Sequence, residues 1–576
     1  MVAGPLRSYH KRLFIAGLWI ASLLLTVYVR DESKKHFKTS AVDVDENEDS
    51  FPLGLENTDP DEDDDLTYGE TDTLVDKPPD TPVSSSSCRC RQINLEMREV
   101  YGENLDLVIP WLSLTTLEHL RKHHPNFPVS IATEITKKRC HLMPPPHGIL
   151  WSNTYYQKVI MGNGATYHLY SAIMDNRVHT DLRPCVRILA HTTVKNPPKP
   201  WCYFWFNATG PPAVSRVARI DYNSFKLKTG DSQKVFFLSC RIPPRDAHRK
   251  PKAVSVVAKL CESAKTLLEV VGAMERNETT AYVNGKPPGD RGKLQGWNAA
   301  ACGTALFYYH YDFSIRLVEW IEILRALGFA RVFLHETDVH PNITKVLSHY
   351  EDEGFIQVTK YSYPEPYVNE PSIRRLWYLL EKPKVYLMGA MYYTDCLVRH
   401  MHEYRFIAHL DPDEIPMLLR HDSYPSWMDD VLTRAQKKSK AEGKPPPTAY
   451  SLEWKFHPGD LPPSEKNRDL PGYLWALRHS FIPTEFVPGL TNQKCLYDMD
   501  FVTGAMSHKP RVCGSGKCRG DVYKVPTSIG YLAHFKNRCG KHCGKPGSTK
   551  EVPALLKYRQ SVEEAVSRTL KKLQLI

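Results

Sequence analysis

No cysteine precedes Cys88, only one base (Lys77) stands among the sixteen acids of residues 41–80, and no apolar run after Val29 is long enough to span a membrane. The first absence confines any disulfide framework to the body of the chain. The second gives residues 41–80 a local charge of −15, with too little apolar surface to offset the entropy of ordering. The third, with a mean hydropathy of −0.42, excludes a multi-pass membrane protein. Internal repeats are missing too, which excludes a solenoid.

What is present describes a folded protein of two or three domains. The chain has 576 residues, 42% hydrophobic, 24% charged and 11% aromatic, a composition that rules out a wholly disordered or collagen-like chain. Residues 1–40 hold seven bases and two acids, net +5, so within the total of +10 residues 81–576 carry +20. A basic body suits an anionic ligand such as a nucleotide sugar, an acidic glycan or a nucleic acid.

Leu13–Val29 is a run of seventeen uncharged residues preceded by Arg7, Lys11 and Arg12. It is about the minimum for ~30 Å of hydrocarbon, and no A-x-A cleavage site follows it. We read residues 1–12 as a cytoplasmic tail, 13–29 as an uncleaved transmembrane signal anchor and 30–87 as an acidic stem, extended by self-repulsion. The fourteen cysteines and the acceptor sequences at Asn207, Asn277 and Asn342 place the body in a lumen. That topology excludes nucleic acid as a partner, and so short a span suits the Golgi membrane, with single-pass type II orientation.

From Cys88 to about residue 295 short β-type runs alternate with Pro and Gly clusters, as at Val186–Leu189, Trp201–Phe206 and Val235–Leu238. This is a β-rich accessory region without a recognisable catalytic constellation. Trp201–Phe206 is either a buried strand or an aromatic platform for a sugar face. From residue 296 strands and helices alternate: strand Ala299–Phe307, helix Ser314–Leu327 stopped by Gly328, strand Arg331–His335, helix Ile343–Tyr350, strand Phe355–Thr359, helix Val385–His402 and strand Phe406–Leu410. The alternation predicts an α/β, doubly wound parallel sheet over residues 296–545, with a helical tail at 546–576. Ligands of such sheets bind beyond the carboxyl ends of the strands.

There the chain carries Leu410-Asp411-Pro412-Asp413-Glu414. Two carboxylates this close repel unless a cation lies between them, and Mg²⁺ or Mn²⁺ shared with a diphosphate would resolve the repulsion. A solvated turn would look the same if the motif stood alone. RLVEWIEILRALGFARVFLHET (316–337), YYTDCLVRHMHEYRFIAHLDPDEIP (392–416), MSHKP (506–510) and YLAHFKNRC (531–539) resemble glycosyltransferase family 92. The resemblance runs from about Trp297 to Cys543; Pro412 and the basic insertion Lys437–Pro447 depart from the family pattern.

The resemblance implies a GT-A-like, Rossmann-type nucleotide-sugar domain. It also implies a metal-dependent inverting transfer of galactose from UDP-galactose to a terminal galactose or fucose of a glycoprotein N-glycan. Asp411, Asp413, His508 and His534 would surround Mn²⁺ (or Mg²⁺), and Asp395, Arg399 and Glu414 would serve the donor or its loop. Asp395 and Arg399 are also spaced for an ordinary helix ion pair. For the general base, Glu453 on the apparent strand AYSLEWKF stands first, with Asp498 and Asp500 behind it. Another UDP-sugar, or a glycan-binding protein without activity, are the alternatives, and a homodimer stays open. Cys513, Cys518, Cys539 and Cys543 are spaced almost like a zinc site, but an oxidising lumen favours disulfides; Cys88 and Cys90 would staple the start of the body. The four lysines between Lys437 and Lys444 read as a solvated loop.

Overall fold

The computed structural model describes residues 88–94, 114–135, 138–223, 234–274, 299–484, 493–506, 508–518, 522–538 and 548–576. The expected anchor, the stem, Asn277, Cys539 and Cys543 lie outside these residues. No described helix is long and apolar enough to cross a membrane.

The amino-terminal sheet has nine strands: β1 (Gln157–Ile160), β2 (Thr166–Asp175), β3 (Cys185–Thr192), β4 (Trp201–Trp205), β5 (Ala213–Arg216), β6 (Arg219–Tyr222), β7 (Lys234–Arg241), β8 (Ala253–Val257) and β9 (Leu268–Val271). Their order is β5-β4-β8-β9-β2-β3-β7-β6, with β1 on the side of β2. All pairs are antiparallel except β9 with β2. Two helices, α1 (Leu114–His123) and α2 (Val129–Ile135), precede it.

Every residue of β3 is buried, because both faces of the sheet are covered. Val186, Ile188 and Ala190 join one apolar cluster with Leu238 and Cys240 of β7. Leu189, with Val235 and Phe237, joins a second cluster that contains Ala300, Cys302, Met388 and Tyr497 from the rest of the chain. Period-2 alternation thus sends alternate residues into two cores. The aromatic run is part of this packing: Trp205 is buried and Phe206 lies under the Arg249 guanidinium at 4.0 Å, so the buried-strand reading holds.

The carboxyl-terminal sheet also has nine strands: β10 (Ala299–Leu306), β11 (Arg331–Glu336), β12 (Ile356–Lys360), β13 (Phe406–His409), β14 (Glu414–Leu418), β15 (Ala449–Pro458), β16 (Gln493–Asp498), β17 (Val522–Lys524) and β18 (Gly530–Lys536). The order is β12-β11-β10-β13-β16-β15-β18-β14, with β17 beside β15. The first four strands are parallel, in the order third, second, first, fourth. Their crossovers are α3 (Ser314–Leu327), α4 (Pro341–Asp352) and the pair α5 (Pro371–Leu380) and α6 (Lys382–Arg399). Buried crossovers of this kind produce the near-continuous apolar strands read in the sequence.

Helix α3 has the expected bounds, and Gly328 ends it at φ 90°, a left-handed conformation that favours glycine. Helix α5 was not foreseen. Of the four lysines expected in a loop, Lys437, Lys438 and Lys440 instead extend helix α7 (Tyr424–Glu442), whose run of good helix formers carries it on to Gly443 at φ 63°, and Lys444 follows the helix. The carboxyl-terminal helix α8 (Arg559–Lys572) packs on α3 through its buried face of Val562, Val566 and Leu570, so it is part of the domain rather than a free tail.

Disulfides join Cys88 to Cys261, Cys90 to Cys140, Cys202 to Cys240, Cys302 to Cys396 and Cys513 to Cys518. Cys513 and Cys518 are therefore not thiolate ligands of a zinc ion. Cys185 and Cys495 are buried free thiols.

Candidate active site

Strand order reverses between β10 and β13, which opens a crevice beyond their carboxyl ends. The loop after β13 fills that place. Leu410 N–H still donates to Cys302 O at 3.0 Å, and then Pro412, which has no N–H, ends the ladder. Glu414 closes the turn: its N–H donates to Asp411 O at 2.8 Å, and its Oε2 accepts from Asp411 N–H at 2.9 Å. Trp320 Nε1 of α3 donates to Glu414 O at 2.9 Å and anchors the turn from below.

The partners come from the antiparallel half of the sheet. Glu414 pairs with His534, and His534 pairs with Phe456, so these side chains share a face. Trp454, two residues from Phe456, is on it too and meets the His534 ring at 4.4 Å. Lys494 pairs with Leu452, an even residue of the same strand, and so points the same way. Buried Lys494 Nζ lies 2.8 Å from Asp411 Oδ2 and 3.6 Å from Glu414 Oε2. Tyr393 donates its hydroxyl to Asp411 Oδ1 at 3.4 Å. His534 Nε2 lies 3.1 Å from Asp413 Oδ2.

Each aspartate thus has its own partner, a lysine for Asp411 and an imidazole for Asp413. Four buried atoms in this cluster make no hydrogen bond: Asp413 Oδ1, Glu414 Oε1, His534 Nδ1 and Trp454 Nε1. The Tyr308 hydroxyl, after β10, is a fifth. Burial and then Asp413 and Asp411 push that phenol well above its ordinary value.

The electrostatics separate the three acids. Burial opposes ionisation of Asp413, but His534, Lys536 and Lys494 outweigh it and hold this carboxyl below its ordinary value. Burial, with Asp411 and Asp413 alongside, pushes Glu414 well above its ordinary value against the pull of Lys494. Burial lowers His534 below its ordinary value, against the pull of Asp413 beside its Nε2. His508 is pushed down to about 3 by burial and then Lys494; its Nδ1 lies 2.6 Å from Gln493 O and its ring 5.4 Å from Trp454.

Among the described residues, Asp411, Asp413, Glu414, His508 and His534 do not bring three ligand atoms within 4.8 Å of one another. A divalent ion here would rest on two protein ligands, and magnesium-type ions accept that when phosphate and water complete the shell. The Asp413 oxygen and His534 nitrogen fit, since adjacent ligands of an octahedral ion at ~2.1 Å lie ~3 Å apart. The free Asp413 Oδ1 supplies a further hard oxygen.

Three expected residues are not in this cluster. Asp395 accepts from Arg399 Nε at 2.9 Å and Nη2 at 3.0 Å and lies 3.1 Å from His335 Nε2; Arg399 Nη2 donates to Asn126 at 2.9 Å. Asp395 is buried and Arg399 partly so, and the pair ties α6 to β11 and to the amino-terminal region, as an ordinary helix ion pair would. Glu453 pairs with Gln493 and is exposed on the face opposite Trp454, because strand parity turns odd residues of β15 away from the carboxylates. Asp498 and Asp500 are held by Arg405, at 3.0 and 3.1 Å.

Sequence reading missed Lys494, Trp454 and Tyr308. A lysine inside the strand QKCLYD could have drawn notice, but its face depends on pairing with β15. Residues 298–573, from just before β10 to the end of α8, match the family model described as Glycosyltransferase family 92. No curated protein matches the chain.

Proposed function

Because residues 298–573 belong to glycosyltransferase family 92, we propose that this transferase moves galactose from UDP-galactose to a terminal galactose or fucose of an N-glycan with inversion. The observation that carries the reading is the turn Asp411–Glu414 at the strand-order reversal, with buried acceptor atoms left unpaired on Asp413 and Glu414. Unpaired buried polar atoms are costly and concentrate where a ligand is to come.

In the reaction an acceptor hydroxyl oxygen bonds to the anomeric carbon, the bond from that carbon to the diphosphate oxygen breaks, and UDP leaves with the electron pair. The hydroxyl proton passes to a base. Glu453 faces away from the carboxylates, which argues against it in that role. Asp413 and His534 would hold Mn²⁺ or Mg²⁺, and the bound ion would neutralise charge on the leaving diphosphate. Lys494 keeps Asp411 compensated, and Glu414 fixes the turn on which both aspartates sit.

The apolar run 13–29, the disulfides and the acceptor sequences support a type II Golgi protein with a lumenal body. Asn207 is exposed, whereas Asn342 Nδ2 already donates to Asp312 at 2.6 Å, so Asn207 is the better glycosylation site.

The test is transfer by the purified chain from a panel of UDP-sugars to galactose- and fucose-terminated glycans. UDP-galactose should be preferred, proton NMR should show a β-linkage, and EDTA should abolish transfer until Mn²⁺ is restored. An α-linkage or preference for a UDP-N-acetylhexosamine overturns the reading. Full activity in EDTA would transfer the diphosphate's neutralisation to side chains such as Lys494 and Lys536.

A further inference from the structure

Helix α5 is built inside out. Its one buried residue is Arg374, while Ile373, Leu376, Leu379 and Leu380 are 52 to 73% exposed. A helix on a globular surface ordinarily turns its aliphatic stripe inward. Here the inward stripe is Arg374, Trp377 and Tyr378. Arg374 Nη1 donates to Asp338 at 3.2 Å, Trp377 stacks on Tyr367 at 4.3 Å, and Tyr378 meets Phe307 at 5.5 Å. With these at i, i+3 and i+4, helical geometry sends Ile373, Leu376 and Leu380 to the other side. The start of the helix is fixed by Pro371 at its first turn and by Glu370, whose side chain accepts from Ile373 N–H at 2.8 Å.

Helix α5 touches the loop that carries Tyr308, whose hydroxyl belongs to the carboxylate site. Ser372 Oγ lies 3.2 Å from His310 Nε2, in the loop Phe307–Phe313 that also carries Tyr308. Tyr309 and Tyr311 of that loop are exposed, as is Val368 before the helix. A cation stands within the stripe: Arg375 is exposed there, on a body of net +20.

We propose that α5 lies on a lipid bilayer, its leucines in the interface and Arg375 at the level of anionic headgroups, so that the carboxylate site acts on glycans carried near the membrane. Exposed aliphatic residues beside a basic one are the composition of an interfacial helix, whereas the centre of a protein interface is rich in aromatic residues. This proposal rests on the anchor reading of run 13–29, under which fifty-eight residues, 30–87, lie between a bilayer and the described body. A body so tethered meets its own membrane at high effective concentration, so a weak surface contact suffices.

The full chain in nanodiscs of phosphatidylcholine, with or without phosphatidylserine, tests this. A photoreactive diazirine side chain is placed at Leu376, at Leu380 or, as control, at exposed Lys438 of α7. Lipid adducts at Leu376 and Leu380 should exceed those at Lys438 roughly tenfold and rise with phosphatidylserine. Leu376→Glu with Leu380→Glu should keep the melting temperature and lose the slowing of α5 amide exchange that nanodiscs bring relative to detergent. Equal adduct yields at the three sites, or cross-links to a second copy of the chain instead of lipid, overturn the proposal. The readout involves no sugar transfer, so its failure and that of the galactosyltransferase reading are separate results.

Discussion

The two nine-stranded sheets bury their charges in opposite ways. In the amino-terminal sheet Asp175 accepts from Arg177 Nε at 2.8 Å, Arg187 Nε at 2.7 Å and Thr180 Oγ1 at 3.2 Å, so both oxygens are served. The arginines continue outward: Arg177 donates to Met499 O at 2.5 Å and Val502 O at 2.7 Å, and Arg187 to Gly514 O at 3.0 Å. In the carboxyl-terminal sheet Asp413, Glu414 and His534 are as deeply buried, yet each keeps an atom without a partner. Burial alone therefore does not distinguish structure from function. The two networks differ in pairing: the first is closed and holds the hairpin that carries His508, and the second leaves acceptor atoms of the candidate site unpaired.

Breaking the closed network should have the largest effect. Asp175→Asn removes the counter-ion that buried Arg177 and Arg187 share and leaves Arg187 with Asp221 at 3.5 Å, a loss of ~3 to 5 kcal/mol in unfolding free energy by urea titration. Burial works against the Asp175 carboxylate, but the two arginines hold it far below its ordinary 3.8. Its stabilisation is thus complete above that value and declines as pH falls below it. Wild type should lose stability on acidification in that range and Asp175→Asn should lose less; a parallel acid response would show that the network contributes nothing.

Opening the open network further should cost rate but not fold. Asp413→Asn keeps the side-chain shape, so the melting temperature should stand while kcat falls roughly 100- to 1,000-fold, or ~3 to 4 kcal/mol. An unchanged kcat would reduce Asp411–Glu414 to a strand-end turn.

Glu319 is an intermediate case, a buried carboxyl that accepts from Ala476 N–H at 3.0 Å and Leu477 N–H at 3.2 Å. Burial raises it to about 7 from 4.5. The folded state then keeps a proton that the unfolded chain releases, so stability is greatest below 4.5 and declines as pH rises toward 7. Glu319→Gln should match wild type near pH 4 and exceed it by ~1 to 3 kcal/mol at pH 8. Melting curves at the two pH values decide, and a variant less stable at both would mean that the charged form is the one the fold uses.

Glu453→Gln should have the smallest effect, under about threefold in kcat and within ~0.5 kcal/mol in stability, because the residue is exposed on the far face. A hundredfold loss of rate would mean that β15 presents its other face to the acceptor.

Much of the carboxyl-terminal domain was legible because its signals are local. Apolar residues at helical spacing and a following glycine mark α3, and an apolar run ending in Asp-Pro-Asp-Glu marks the end of β13, where the candidate site lies. Helix α5 was not legible, since its leucines point outward and an inward Arg374 breaks the expected stripe. Nor was the ion pair of Asp395 and Arg399 separable from a donor contact, because i, i+4 spacing serves either.

The sequence by itself determined the alternation of strands and helices, the place of the acidic turn at a strand end and the confinement of cysteines to the body. Only the tertiary structure decided that Lys494 neutralises Asp411 while His534 meets Asp413, that Glu453 faces away, and which cysteines join. These depend on register between strands far apart in the chain, such as β14 with β18 and β15 with β16. A shift of one residue in such a pairing reverses every side chain's face, and no local periodicity records it.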